Sequence, residues 1–156
     1  MIKARKLTKR FGEVEALVNL NCNIPQGCIY GLVGANGAGK STFLRLCNGI
    51  YQPDEGQVSI NGGEVFDNPA VKAHCVFVPD ELYFLPQSNM LRMAKLYESM
   101  YPQFSNERFT ELTATFKLDP ARPLNTFSKG MRRQAATILA LSAMTDYIFF
   151  DETFDG

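Results

Sequence analysis

Tryptophan is absent from this chain of 156 residues, and histidine occurs once, at position 74. A histidine-built zinc site therefore has too few ligands, and His74 reads as a surface or strand-edge residue. The four cysteines, Cys22, Cys28, Cys47 and Cys75, include no Cys-x-x-Cys pair. They lie among apolar or strand-forming neighbours and read as reduced core thiols of a cytoplasmic protein, not as a disulfide frame. No apolar run approaches the roughly 20 residues that span a bilayer. The opening residues, MIKARKLTKRFG, carry charge with no apolar stretch behind them, which is not a secretory signal. Net charge is lacking too, since 16 Lys and Arg balance 16 Asp and Glu. Such a molecule has no overall field to draw it onto nucleic acid or an acidic membrane, so no nucleic-acid partner is expected. The short basic stretches Lys3-Ala4-Arg5-Lys6 and Arg132-Arg133 read as solvated charge.

What is present is ordinary for a folded domain: 46% apolar and 21% charged residues, in a length that suits one core. Alternating apolar residues bounded by Gly, Pro and Asn predict strands at 2–7, 15–24 and 57–60, with turns at 53–56 and 61–63. A strand is predicted at 28–33, then a Gly-rich loop, then a helix over 40–48 with Gly49 as its carboxyl-terminal cap. Met90, Met93, Tyr97 and Met100 fall three or four apart, as do Phe109, Leu112 and Phe116, which predicts two amphipathic helices. The methionine stripe reads as core, or as a face on which a partner docks. A turn at 125–130, a helix over 131–144 and the apolar run Tyr147-Ile148-Phe149-Phe150 close the pattern. Four consecutive apolar residues predict a strand buried on both faces, as in a parallel sheet.

The stretch Gly34-Ala35-Asn36-Gly37-Ala38-Gly39-Lys40-Ser41 satisfies G-x-x-x-x-G-K-[ST] between a predicted strand and a predicted helix. Glycines let the backbone curl so that successive amides point at anionic oxygens, and the helix start adds its positive dipole end. Lys40 brings a point charge to the β and γ phosphates, and the Ser41 hydroxyl is a hard ligand for Mg²⁺. Thr42 completes the nucleotide-binding set. After the final apolar run, Asp151 is placed to hold Mg²⁺ and Glu152 to orient or deprotonate an attacking water. Lys40 and Glu152 are thus the candidate catalytic residues.

A third motif narrows the field. Phe127-Ser128-Lys129-Gly130-Met131, before the last helix and the acidic strand, resembles the signature of ATP-binding-cassette (ABC) transporter subunits, usually Leu-Ser-Gly-Gly-Gln. Ser128 and Gly130 match; Lys129 and Met131 depart. The form Ser-Lys-Gly-Met is similar to bacterial members of the exporter-type subgroup. The resemblance runs from Phe11 to Gly156 and implies an α/β fold: a phosphate-loop (P-loop) NTPase core with an antiparallel β layer and a helical insert. Core and β layer would span 1–79 and 125–156, and the insert 80–124. It further implies that Phe11, before Gly12, stacks on adenine, and that Ser128, Lys129, Gly130 and Met131 contact ATP held by a second subunit. Where the family has a metal-contacting glutamine, this chain has Asp80. Asp80 is either a Mg²⁺ ligand or a turn residue after Pro79.

The resemblance implies an ATPase with ATP and Mg²⁺ as cofactors, a head-to-tail dimer, and an integral membrane transporter subunit as partner. It would sit in the cytoplasm, peripheral on the inner face of the cell membrane. Two rival expectations are a soluble ABC-type ATPase with no membrane partner, and a module that binds ATP without turnover. The second arises because family members continue past the acidic strand into Leu-Asp, further strands and a histidine. On that ground the chain is expected to be truncated, with its last strands missing, and to hydrolyse ATP weakly or not at all alone.

Overall fold

Ile2–Phe11 (β1) alternates apolar and polar residues and pairs on both sides in the computed structural model, which describes residues 1–151. Those residues form two compact units, Met1–Lys72 and the residues from Ala73 onward. In the first unit, β1 lies between Val14–Ile24 (β2) and Glu55–Ile60 (β3), with Gly63–Glu64 (β4) beyond, all antiparallel. Strict alternation from Ile2 and Ala4 would turn Leu7 outward, yet Leu7 is fully buried. A bulge at Arg5 and Lys6 resets the phase. Lys6 takes φ 47, and its amide donates to Asn21 Oδ1 at 2.9 Å. Gly56 faces the bulge: a Cβ there would lie 2.3 Å from the carbonyl oxygens of Arg5 and Lys6. The turn expected at 53–56 is therefore shorter, because Glu55 and Gly56 belong to β3.

Lys40–Cys47 (α1) packs over β2 and β3 and buries Phe43, Leu46 and Cys47. It ends as the sequence implies: Gly49, at φ 59, donates its amide to the Leu46 carbonyl at 3.0 Å. A one-turn helix, Pro69–Lys72 (α2), closes the unit.

Two expectations fail here. Residues 28–33 do not form a strand, and Ile29 and Val33 stand fully exposed. A strand exists only as a hydrogen-bonded ladder, and no described strand pairs with this one. For the same reason Cys28 is exposed, its thiol donating to the Pro25 carbonyl at 3.3 Å, and is not a core thiol. Cys22 is half-buried, and burial raises its pKa. Cys47 and Cys75 are buried, and burial, with Asp146 adding, pushes the Cys75 thiol up to about 12.

In the second unit, Cys75–Val78 (β5) pairs in parallel with Tyr147–Phe150 (β6). Tyr147 and Phe149 are buried. His74 sits at the strand edge, its Nδ1 2.8 Å from Asp146 Oδ2 and its carbonyl accepting the Tyr147 amide. Two helices follow the predicted periodicities, Met90–Met100 (α3) and Asn106–Thr115 (α4), and Lys129–Ser142 (α5) lies close to the helix expected over 131–144. Asn89 caps α3 and Ser105 caps α4, each accepting an amide three residues on. Met90, Met93, Phe109, Leu112, Ile138 and Leu139 share one core, and Ala136 and Ala140 pack with Val76 and Val78. The methionine stripe is thus interior at Met90 and Met93, and Tyr97 is buried enough that its phenol is pushed up to about 12. Of that stripe only Met100 remains exposed, so it offers no continuous docking face. Among the described residues, no helix is long and apolar enough to cross a membrane.

Ile138 has no exposed surface in this core. Ile138→Ala should lower unfolding free energy by about 2–5 kcal/mol in urea titration, whereas Leu91→Ala, on the exposed face of α3, should cost less than about 1 kcal/mol.

Candidate functional site

The Gly-rich loop curls as its composition demands. Gly37 and Gly39 take φ 82 and 84, and the Ala38 amide closes a turn on the Ala35 carbonyl at 3.1 Å. Lys40 Nζ donates back to the carbonyls of Gly34 (2.8 Å) and Ala35 (3.0 Å), which sets the ammonium inside the curl. The loop is seated hard on β2. A Cβ at Gly39 would lie 2.5 Å from the Ala16 carbonyl oxygen and 2.8 Å from Leu17 Cδ2.

The start of α1 differs from the other helices. Gly39 occupies its N-cap, no side chain caps it, and its first turn has no acidic residue. By contrast α3, α4 and α5 begin on Asn89, Ser105 and Ser128, each accepting a backbone amide. A helix start whose N-cap residue has no side-chain oxygen, beside a lysine ammonium, is suited to an anion. Asn36 sits exposed in the same loop, and Ser41 and Thr42 open the first turn of α1, half-buried. These residues fit a phosphate group in donor chemistry.

Phe11 ends β1, pairs with Val14 and is 43% exposed. Ala16, against which the loop is seated, lies two residues further along β2, so ring and loop share one end of that strand. The ring meets Tyr51 edge-on at 5.3 Å and has Lys9 Nζ 5.5 Å from its centre. Asp54 holds the strand end, accepting from the Arg10 amide at 2.5 Å and Lys9 Nζ at 3.0 Å. Those two contacts, the amide first, keep the Asp54 carboxyl below its ordinary pKa. Sequence reasoning missed both Tyr51 and Asp54, because no local pattern joins positions some forty residues apart.

In the second unit Asp151 follows β6 and is 3% exposed. Its amide donates to the Val78 carbonyl at 3.0 Å, which extends the β5–β6 ladder by one bond and fixes the strand tip. Glu152 lies outside the described residues. Ser128 is the N-cap of α5, its Oγ accepting the Met131 amide at 3.2 Å. That cap starts the helix two residues before the predicted position, so Lys129 and Gly130 form its exposed first turn. The Met131 side chain packs against the helical core.

Asp80 lies two residues past β5 with its side chain 52% exposed. Arg133 Nη2 donates to its Oδ1 at 2.7 Å. The Arg133 side chain is only 12% exposed, so it is not the solvated charge the sequence suggested. Among the described residues, no group of three or more His, Cys, Asp and Glu could hold a metal ion.

A family model described as ABC transporter matches residues 17–155. The chain is 29% identical over 156 residues to the ABC transporter ATP-binding protein YtrB of Bacillus subtilis, covering 100% of this chain and 53% of that one. It is 30% identical over 162 residues to the daunorubicin/doxorubicin resistance ATP-binding protein DrrA of Streptomyces peucetius, covering 99% and 49%. The chain thus spans about half the length of these curated relatives. Among solved structures it resembles a dimeric post-hydrolysis ATP-binding cassette bound to ADP and Pi, at TM-score 0.84 and 26% identity, covering 99% of this chain and 75% of that one. A dimeric bacterial ABC transporter cassette matches at TM-score 0.83 and 27% identity, covering 98% and 74%. The α/β architecture, the seated phosphate loop and these likenesses agree: the chain belongs to the ABC transporter family, in its ATP-binding cassette.

Proposed function

We propose that this chain is the part of an ATPase subunit that binds Mg-ATP and, through a separate membrane-spanning partner, energises transport. It works at the inner face of the cell membrane and pairs head to tail with a second ATP-binding subunit. The observation that carries this reading is the start of α1, whose N-cap is a glycine with no side chain to cap it, with Lys40 held inside the loop before it.

Each residue has a task in this reading. Phe11 stacks on the adenine, an arrangement its exposed ring permits. Backbone amides from Gly34 to Thr42 grip the phosphates, and Lys40 exchanges two neutral carbonyls for anionic oxygens, a stronger charge-assisted contact. By motif order, Ser41 and Asp151 each offer an oxygen suited to Mg²⁺. Bound Mg²⁺ supplies charge neutralisation across the phosphate oxygens. Glu152 orients the attacking water and accepts its proton. Ser128, Lys129 and Gly130 form an exposed helix start that presents to the ATP of the other subunit, while Met131 anchors that turn in the core.

The test uses the full-length protein. It should bind Mg-ATP by calorimetry and co-purify with an integral membrane protein; failure to bind nucleotide would sink the reading. Ser128→Ala separates the cap from the chemistry. It should cost about 1 kcal/mol of stability as a lost N-cap. ATP turnover should fall about 100-fold, the loss typical of one transition-state donor.

A further inference from the structure

Asp80 and Arg133 are 53 positions apart in sequence and meet at 2.7 Å. The pair is lopsided: the arginine side chain is 12% exposed and the carboxylate side chain 52%. The arginine, set on helix α5 and largely covered, is the fixed end, and the more exposed Asp80 is the end that can part. The position of each residue gives the contact its meaning. Arg133 lies five residues after Ser128, on the second turn of α5. Asp80 lies two residues after Val78, whose carbonyl accepts the Asp151 amide. Ala136, one turn further along α5, is buried with Val76 and Val78. Helix and strand are therefore packed together along this line, and the ion pair extends their contact to the segment that leaves β5. One continuous path then runs from the turn capped by Ser128, through Arg133 and Asp80, to the strand tip carrying Asp151.

We propose that the Asp80–Arg133 ion pair is a positioning clasp that ties the segment after β5 to helix α5 and withholds the Asp80 carboxylate from metal. Its existence rests on the contact alone; its effect on turnover rests on the ATPase reading above. The bound arginine cancels the negative charge of Asp80 two residues past the end of β5. It also fixes the spacing between the first turns of α5 and the strand tip carrying Asp151.

The experiment compares Asp80→Asn, Arg133→Gln and the double variant in the full-length protein. Amide hydrogen exchange over residues 79–84 should rise about ten-fold in each single variant and no further in the double, as expected for one shared contact. Exchange in α5 at residues 135–142 should stay unchanged, which separates a parted clasp from a loosened core. Arg133→Lys should restore part of the protection. The Mg²⁺ concentration for half-maximal turnover should stay within about two-fold in Asp80→Asn, where loss of a ligand would raise it ten-fold or more. Unchanged exchange in the single variants, or additive increases in the double, would overturn the clasp. A ten-fold Mg²⁺ shift in Asp80→Asn with none in Arg133→Gln would make Asp80 a metal ligand instead. Absence of Mg-dependent turnover in the unmutated protein would overturn the proposed function, while the exchange pattern would still decide the clasp.

Discussion

Replacing Lys40 with alanine should cut ATP hydrolysis about 100- to 1000-fold while leaving the fold nearly as stable as before. The two effects separate because, among the described residues, Lys40 Nζ bonds the carbonyls of Gly34 and Ala35, in an exposed loop where water replaces it. Losing such bonds costs about 1 kcal/mol or less. No other group of the loop carries a positive charge, from Gly34 to Gly39. Neutralising the developing charge on a transferring phosphoryl group is the main task in this chemistry, so nothing nearby compensates. Phosphate release and urea denaturation on the same preparations check both halves. An alanine variant with near-normal turnover would remove Lys40 from the machinery. One that unfolds easily would make it a structural residue.

Gly39→Ala should be the most damaging small substitution in the loop, with Gly37→Ala as its control. Both glycines hold φ above 80, so either alanine suffers about 1–2 kcal/mol of left-handed strain. Only Gly39 also lacks room: its Cβ would meet the Ala16 carbonyl oxygen at 2.5 Å, whereas Gly37 has nothing within 4 Å. The blocking atom is backbone of β2 and cannot swing aside. Gly39→Ala should therefore lose about 3–4 kcal/mol of stability and most nucleotide binding, and Gly37→Ala about 1–2 kcal/mol with binding weakened only modestly. Thermal unfolding and calorimetric titration distinguish them. Equal losses in the two variants would show that the loop is not seated on β2 as described.

What could be read from sequence was whatever is set by neighbours a few positions apart. The glycine spacing, the Gly49 cap, the two amphipathic helices and the apolar run 147–150 are local patterns, and each forms as expected. The strand predicted at 28–33 was not, because an apolar run cannot specify which ladder completes it. The bulge at Arg5–Lys6 escaped notice because its cause, the missing Cβ of Gly56, sits on another strand. The Arg133 partner of Asp80 was not foreseen for a related reason: it is 53 positions away. In the candidate site, Lys40 and Asp151 were picked out by motif order, and the structure sets them at the start of α1 and just past β6. Tyr51 and Asp54, which brace the strand end carrying Phe11, belong to contacts no motif records.

The uncapped start of α1 has a thermodynamic consequence beyond recognition. Helices α3, α4 and α5 carry their caps in the covalent chain, so their stability is a constant of the sequence. On the proposed function the cap of α1 is a bound solute, which makes its stability a function of concentration. At a hundred times the dissociation constant, binding would add about 2.7 kcal/mol to the folded state, more than a side-chain cap commonly contributes. The first unit would then be sturdy in an energised cell and looser in a depleted one, so that resistance to unfolding becomes a gauge of nucleotide supply.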